Sequence, residues 1–151
     1  MKIAVQSEDF DLNFEFARMR ESRQDIGALV SFVGLVRDLN DGETVSQLTL
    51  EHYPGMTEKA LQAIVAEAAS RWNVLDATVV HRVGSLQASE QIVLVAVASA
   101  HRDQAFKACE FIMDYLKTQA PFWKKELTAS GERWLDDKDS DHDAQKRWQL
   151  P

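Results

Sequence analysis

The chain has 151 residues, of which 45% are hydrophobic and 27% charged, and its formal net charge at pH 7 is −7. This composition predicts one globular domain over residues 1–151 with enough apolar side chains for a core. The negative charge argues against a general nucleic-acid-binding protein or a membrane-surface protein, because both classes favour a basic face.

The chain has a single cysteine, Cys109, which excludes an intrachain disulfide and a cysteine-only metal site. A reducing compartment, and hence the cytoplasm, is therefore expected. The apolar run at residues 92–100 is far shorter than the roughly 18 residues that a membrane-spanning helix needs. Residues 1–5 are also too short an apolar start for a signal peptide.

The first half of the chain alternates predicted strands and helices. A helix that ends at Arg20 could be capped by Asp11 or Asn13, with Phe14, Phe16 and Ala17 as its apolar contacts. In chain order, the pattern predicts a strand at residues 2–6, this helix, a buried strand at 26–37, a mobile loop at 38–43, a strand at 46–53 and a helix at 57–72.

The second half predicts two strands, a long helix and a hairpin. The long helix begins at Asp103 as its cap and ends before Pro121, which disfavours helix at the preceding residue. Its apolar stripe is predicted at Phe106, Cys109, Ile112, Met113 and Leu116. The other predicted elements are strands at 77–83 and 91–100 with a turn at Gly84, a hairpin at 126–134 turning at Gly131, and an acidic tail, about 136–151, that packs through Trp148 alone. This order predicts an α+β fold with helices against a mixed or antiparallel sheet.

Basic residues stand at the ends of the apolar segments of this acidic chain. His101 and Arg102 follow a strand and precede a helix, where backbone N–H groups and the helix dipole favour an anion. Together with Arg37, they predict a phosphate site. The alternative is that these charges form solvated rims of the segments.

Lys117 and Lys124 lie seven residues apart, on either side of Pro121. A lysine near other cations has a lowered pKa and can act as a base or nucleophile. The alternative is that Lys117 only complements the dipole at the end of its helix. Cys109 lies in the apolar stripe of the same helix, which favours a core position over a nucleophilic one.

Familiar cofactor and metal motifs are missing from the sequence. Asp137, Asp139, Asp141 and Asp143 imitate a calcium loop, but His142 and Trp148 stand where that loop needs glycine and glutamate. The histidines lack metal-ligand spacing, and no phosphate-binding glycine loop is present. We therefore predict no metal and no cofactor.

Taken together, the sequence resembles the large, catalytic subunit family of molybdopterin synthase. The matching segments follow the order of that family and cover nearly the whole chain except the acidic tail. They are residues 27–28, 31–37, 50–56, 81–84, 98–102 and 117–126.

The resemblance implies an α/β hammerhead fold with an additional small antiparallel sheet, assembled as a homodimer. Each end of the dimer would bind a small ubiquitin-like sulfur-carrier subunit whose C-terminal Gly-Gly carries a thiocarboxylate, giving a heterotetramer. The implied reaction inserts two sulfur atoms into cyclic pyranopterin monophosphate to make molybdopterin, for the molybdenum cofactor.

The resemblance also implies the residues of the site. Lys117 and Lys124 would be catalytic. The substrate would be bound by Leu35, Val36, Arg37, His101, Arg102, Lys117, Lys124, Lys125 and Glu126. Two other hypotheses use the same cations: a non-catalytic module that binds an anion or a partner's acidic tail, and an unrelated lysine enzyme that forms a Schiff base.

Overall fold

Two β-sheets and four helices make up residues 1–136 and 138–149, the part of the chain that the computed structural model describes. The helices are α1 (Leu12–Arg20), α2 (Met56–Arg71), α3 (Arg102–Gln119) and α4 (Asp139–Lys146). The strands are β1 (Lys2–Gln6), β2 (Ala28–Leu35), β3 (Leu39–Asn40), β4 (Glu43–His52), β5 (Asp76–Arg82), β6 (Gly84–Gln87), β7 (Gln91–Ser99), β8 (Phe122–Thr128) and β9 (Gly131–Leu135). None of the helices within the described ranges is long and apolar enough to cross a membrane.

The first sheet has the strand order β1-β5-β7-β2, with β1 parallel to β5 and the other pairs antiparallel. Helices cover both of its faces. Val93, Val95 and Val97 of β7 pack in the core with α2 and α3, whereas Leu94 and Ala96 pack with Met19 of α1. A strand covered on both faces needs apolar residues at every position, which explains the continuous apolar run of β7.

The second sheet is antiparallel and has the order β3-β4-β8-β9, with β6 also paired to β4. Its core consists of Val36, Leu48, Leu50 and Leu86. Leu86 lies opposite Leu48, and Gly84 lies opposite Leu50. The sheet therefore lies beside the end of β2, where Val36 joins its core.

The predicted α+β class with an additional antiparallel sheet is confirmed. Asp11 caps α1, since its Oδ1 accepts a hydrogen bond from the N–H of Phe14 at 3.0 Å. The predicted α2, β5 and β7 agree with the structure to within about one residue at each end. The long helix α3 ends at Gln119, two residues before Pro121, as predicted.

Two segments that the sequence analysis assigned to loops form strands. The predicted mobile loop at 38–43 is wrong, because Leu39 and Asn40 pair with β4 around a two-residue turn. Asp41 and Gly42 both have positive φ, 50° and 78°, which is the type I′ geometry that matches strand twist. The turn predicted at Gly84 is instead the start of β6, a strand too short to show alternation.

Four predictions about burial or capping are wrong. Strand β2 is an edge strand rather than a buried one, with Phe32 and Leu35 exposed. Phe14 and Phe106 are also exposed, because α1 buries Glu15 and Met19 and α3 buries a stripe that begins at Ala105 and Ala108. The N-cap of α3 is His101 without a side-chain hydrogen bond, and Asp103 lies inside the first turn.

The acidic tail is anchored more firmly than predicted. It contains α4, and Trp148 packs edge-on against Trp72 and Phe111, as predicted. Further contacts join it to α3: Arg147 Nη2 lies 2.7 Å from an Asp114 carboxylate oxygen, and the Thr118 hydroxyl hydrogen-bonds the Gln145 side chain. The prediction that Trp148 alone anchors the tail is therefore wrong. Asp137, used in the calcium-loop comparison, lies outside the described residues, as do residues 150–151.

Candidate active site

A cavity of about 230 Å³ lies between the C-terminal end of α3, the end of β2 and the inner face of the second sheet. Six of the nine predicted site residues line it. They are Leu35, Val36, Arg37, Lys117, Lys124 and Glu126.

The register of β8 decides which of its side chains face the cavity. Lys124 and Glu126 line the cavity, while Lys125 between them does not, because successive side chains of a strand point to opposite faces. On the outer face, Lys125 Nζ lies 3.4 Å from a Glu132 carboxylate oxygen and 5.3 Å from the centroid of the Trp134 ring. The structure thus does not bring Lys125 into the cavity with the other predicted residues.

Lys117 and Lys124 reach the same cavity from different elements. Lys117 is half-buried in the last turn of α3. After the helix ends, Pro121 leads into β8, which pairs antiparallel with β4 and places Lys124 opposite Leu50. The break at the proline therefore turns the chain back and gathers both ammonium groups at one site.

The end of β2 supplies Leu35, Val36 and Arg37. The Val36 N–H donates to the Glu90 carbonyl at 2.9 Å, and its own carbonyl accepts from the Ser89 N–H at 2.8 Å. The N–H and the carbonyl of Val36 thus both take part in hydrogen bonds within the chain. Arg37 is exposed and donates from Nη2 to Asn40 Oδ1 at 3.4 Å.

His101 and Arg102 lie elsewhere. Both are exposed at the N-terminal end of α3 and do not line the cavity. Fifteen residues of helix separate Arg102 from Lys117, which corresponds to roughly 22 Å. Within one chain, His101 and Arg102 therefore do not join Arg37 in the phosphate site predicted from these three residues.

Glu126 is buried, with 5% of its surface exposed, and is surrounded by hydrogen-bond donors. Asn40 Nδ2 lies 3.1 and 3.0 Å from its two carboxylate oxygens. Arg133 donates from Nε to its Oε1 at 3.0 Å, and Arg133 Nη2 lies 2.9 Å from the same oxygen as an ion pair. Glu126 thus lines the cavity as a charge-compensated group, and neither Asn40 nor Arg133 was identified from the sequence.

His81 is a further cavity residue that sequence reasoning did not identify as part of the site. Its ring stacks on Phe122 with centroids 3.7 Å apart, and its Nδ1 lies 2.8 Å from the Arg82 carbonyl oxygen. Burial lowers the pKa of His81 to about 3, opposed by the hydrogen bond to Arg82 and reinforced by the charges of Lys124 and Lys117. The ring is therefore neutral near pH 7. Because a carbonyl only accepts, Nδ1 carries the proton and Nε2 is an acceptor.

The acidic tail also contributes to the wall. Asp136, Lys138 and Asp141 line the cavity, although the sequence analysis treated this run as a solvated surface. The wall therefore mixes cations and carboxylates, and one of the carboxylates, that of Glu126, is already paired with Arg133.

Cys109 lies in the core, as predicted. It is 4% exposed, and its Sγ lies 3.7 Å from the Val95 carbonyl oxygen. Burial raises the pKa of its thiol to about 12, so the reactive thiolate is not populated near pH 7. Among residues 1–136 and 138–149, no three His, Cys, Asp or Glu side chains are grouped as metal ligands.

Comparison with known proteins identifies the family. The sequence matches the MoaE protein family over residues 5–119. The chain belongs to the MoaE family. A MoaE relative from Ralstonia nicotianae, named molybdopterin synthase catalytic subunit, is 62% identical over 97% of this chain and 83% of its own length.

Solved structures agree with the family assignment. A molybdopterin biosynthesis MoaE protein from Burkholderia ambifaria has a TM-score of 0.85 and 55% identity, covering 99% of each chain. A complex of subunits 1 and 2 of molybdopterin-converting factor from Helicobacter pylori shares the fold, with a TM-score of 0.71 and 20% identity over 91% of this chain and 90% of that chain.

Proposed function

We propose that this chain is the catalytic subunit of a molybdopterin synthase, a sulfurtransferase that converts cyclic pyranopterin monophosphate to molybdopterin by two sulfur insertions. The observation that carries the proposal is the cavity where Arg37, Lys117 and Lys124 come together in a member of the MoaE family. Relatives of the chain bear the name of this activity.

The phosphate of the substrate accounts for the cations. A guanidinium is suited to a phosphate, because its planar N–H groups form charge-assisted hydrogen bonds. Arg37 at the cavity wall takes this role, and Lys117 and Lys124 supply further positive charge. The walls of Leu35, Val36 and Phe122 suit the flat, largely apolar faces of a pterin.

The two lysines serve the chemistry. Opening a cyclic phosphate and exchanging oxygen for sulfur both require proton transfers, for which positioned ammonium and amine groups are suited. Lys117, at the end of a rigid helix, is the main proton-transfer group. Lys124, on β8 beside the paired Glu126, contributes to both binding and rate.

The sulfur comes from outside the chain. Cys109 is buried and its thiol pKa is raised, so it is unsuited to carrying sulfur. A small ubiquitin-like subunit supplies it through a C-terminal Gly-Gly thiocarboxylate. The Helicobacter pylori structure with the same fold is a complex of subunits 1 and 2 of molybdopterin-converting factor.

The chain assembles in the cytoplasm as a homodimer, and with two small subunits as a heterotetramer. The edge strand β2 exposes Phe32 and Leu35, and an exposed apolar edge favours self-association. Strand β7 is also apolar, but it is buried within its own chain and so offers no exposed surface to a second copy. A second copy also offers a route for His101 and Arg102, which lie far from the cavity of their own chain, to approach a substrate.

The test is turnover with purified components. The wild-type chain, mixed with the thiocarboxylated small subunit and cyclic pyranopterin monophosphate, should form molybdopterin, and the unthiolated subunit should not support the reaction. Binding of substrate without any turnover would favour the non-catalytic anion-binding module. Trapping of the chain by borohydride with carbonyl compounds would favour a Schiff-base enzyme.

A further inference from the structure

A chain of hydrogen bonds leads from Arg37 at the cavity wall to Arg133 on β9. Arg37 donates to Asn40 Oδ1, Asn40 donates to both oxygens of Glu126, and Glu126 accepts from Arg133 Nε and is ion-paired with Nη2 of the same guanidinium. We propose that Asn40, Glu126 and Arg133 act as a positioning unit that sets the direction of the Arg37 guanidinium for the phosphate of the substrate. This inference rests on the proposed function, and it adds Asn40 and Arg133 as positioning residues.

The orientation of the Asn40 amide is fixed by chemistry. An ionised carboxylate can only accept hydrogen bonds, so the amide group that faces Glu126 must be the NH₂. Its distances of 3.1 and 3.0 Å to the two oxygens place that group across the carboxylate. The amide oxygen is thereby turned towards Arg37, where it accepts from Nη2 at 3.4 Å.

Arg133 keeps Glu126 in place. Glu126 is nearly fully buried, and a buried carboxylate that loses its partner is strongly destabilised. Arg133 also donates from Nη1 to Glu43 at 2.8 Å and from Nη2 to the Asn40 carbonyl at 2.9 Å. One guanidinium thus holds the carboxylate, the backbone of β3 and the start of β4 together.

The backbone of Asn40 is held as firmly as its side chain. Asn40 pairs with Glu43 around the type I′ turn at Asp41 and Gly42. Arg37 lies two residues before β3 and is exposed, so its long side chain has many accessible conformations. An acceptor placed rigidly beside it selects those conformations that present the remaining N–H groups to the cavity.

The experiment is a double-mutant cycle between Asn40 and Arg37, read as calorimetric Kd for cyclic pyranopterin monophosphate without the small subunit. Asn40→Asp replaces the NH₂ by an oxygen that repels Glu126, and it should weaken binding about 3- to 10-fold, as for one hydrogen bond lost. Arg37→Ala should weaken binding about 10- to 100-fold. In the Arg37→Ala background, Asn40→Asp should have less than about a twofold further effect, because the group it positions is gone.

Turnover gives a readout that loss of stability would not produce. With the thiocarboxylated subunit, Asn40→Asp and Arg133→Lys should raise KM and leave kcat at saturating substrate within about twofold. Glu132→Gln is the matched control: it lies on the same hairpin but pairs with Lys125 on the outer face, and it should change neither constant. Thermal melting checks the fold of each variant, and Asn40→Ala replaces Asn40→Asp if the latter does not fold.

The outcomes separate the inference from the function on which it rests. Two outcomes would overturn the positioning unit while leaving the proposed phosphate contact intact. In the first, Asn40→Asp weakens substrate binding equally in the wild-type and Arg37→Ala backgrounds. In the second, Asn40→Asp leaves the substrate affinity unchanged although Arg37→Ala weakens it. Unchanged affinity of Arg37→Ala in an active enzyme would remove that contact and the positioning unit together. Absence of turnover by the wild-type chain would contradict the proposed function itself.

Discussion

The two ends of α3 carry similar charges in different surroundings. At the C-terminal end, Lys117 is half-buried and lines a cavity with Lys124 and Arg37. At the N-terminal end, His101 and Arg102 are exposed and line no part of that cavity. The difference shows that cations at the ends of neighbouring segments need not share a site, because a long helix separates its own ends by its length. A substrate that contacts both ends must do so through two chains.

The largest expected effect lies at the cavity end. Lys117→Ala should lower turnover by about 10²–10⁴-fold, the usual contribution of a proton-transfer residue, and leave the melting temperature and small-subunit binding close to wild type. Lys107→Ala is the control, since Lys107 lies exposed on the same helix. A Lys117→Ala enzyme that retains most of its turnover would place the chemistry elsewhere.

Complementation tests whether the two ends of α3 meet across a dimer. Lys117→Ala and Arg102→Ala should each be weakly active alone. If each site takes Lys117 from one chain and Arg102 from the other, mixed dimers contain one intact site. A random mixture should then recover activity at about a quarter of the wild-type sites. No recovery in dimers shown to have exchanged would mean that both residues act within one chain or that Arg102 acts outside the site.

His81, at the cavity end, should make the free energy of unfolding depend on pH. The pKa of His81 falls from an ordinary 6.5 to about 3 on folding, so below pH 6.5 the unfolded chain binds a proton there that the folded chain does not. As the pH falls from 6.5 to about 3, this residue should therefore lower the free energy of unfolding by about 1.4 kcal/mol for each pH unit. Above pH 6.5, His81 is neutral in both the folded and the unfolded chain, so its titration no longer lowers the free energy of unfolding.

Comparing His81→Gln with Phe122→Leu isolates that contribution. His81→Gln removes the titrating group and should flatten the dependence of unfolding free energy on pH, measured by urea denaturation. Phe122→Leu removes the stacked ring alone and should lower the free energy by a similar amount at every pH. Parallel curves for wild type and His81→Gln would show that His81 does not titrate as described.

The smallest expected effect is that of replacing Cys109, which lies between the two ends of α3. Cys109→Ala should lower the free energy of unfolding by about 1–2 kcal/mol, because it leaves a small gap in the core. Turnover with the thiocarboxylated subunit should be unchanged. Cys109→Ser, which buries a hydroxyl, is expected to be less stable than Cys109→Ala. Loss of sulfur transfer in a folded Cys109→Ala that binds both substrate and small subunit would make the cysteine a sulfur carrier.

The sequence was informative where local rules decide structure. The break at Pro121, the apolar pattern of α2 and the cap at Asp11 each depend on residues within one or two turns. The gathering of Lys117 and Lys124 was likewise predictable, because the chain reverses at the proline between them.

Other parts of the site depend on the pairing of distant strands. Asn40, Arg133 and His81 come from three different strands, and no local pattern indicates that Asn40 and Arg133 share a carboxylate. The Asp-Gly pair at 41–42 was a usable hairpin signal, and it would have placed Asn40 in a strand rather than a loop. The inward direction of Glu126, by contrast, follows only from the register of β8 with both neighbouring strands.

That register has a consequence for how the site tolerates change in its sequence. Strand β8 pairs on one side with β4 and on the other with β9, so Lys124 faces Leu50 and Leu135 across two ladders. A one-residue insertion between Ala120 and Trp123 that shifted the strand would reverse the parity of every position and exchange Lys124 and Glu126 for Trp123 and Lys125. Which side chains of β8 line the cavity therefore depends on whether the number of residues before the strand is odd or even, and we expect length changes before β8 to be far less tolerated than substitutions on its outer face.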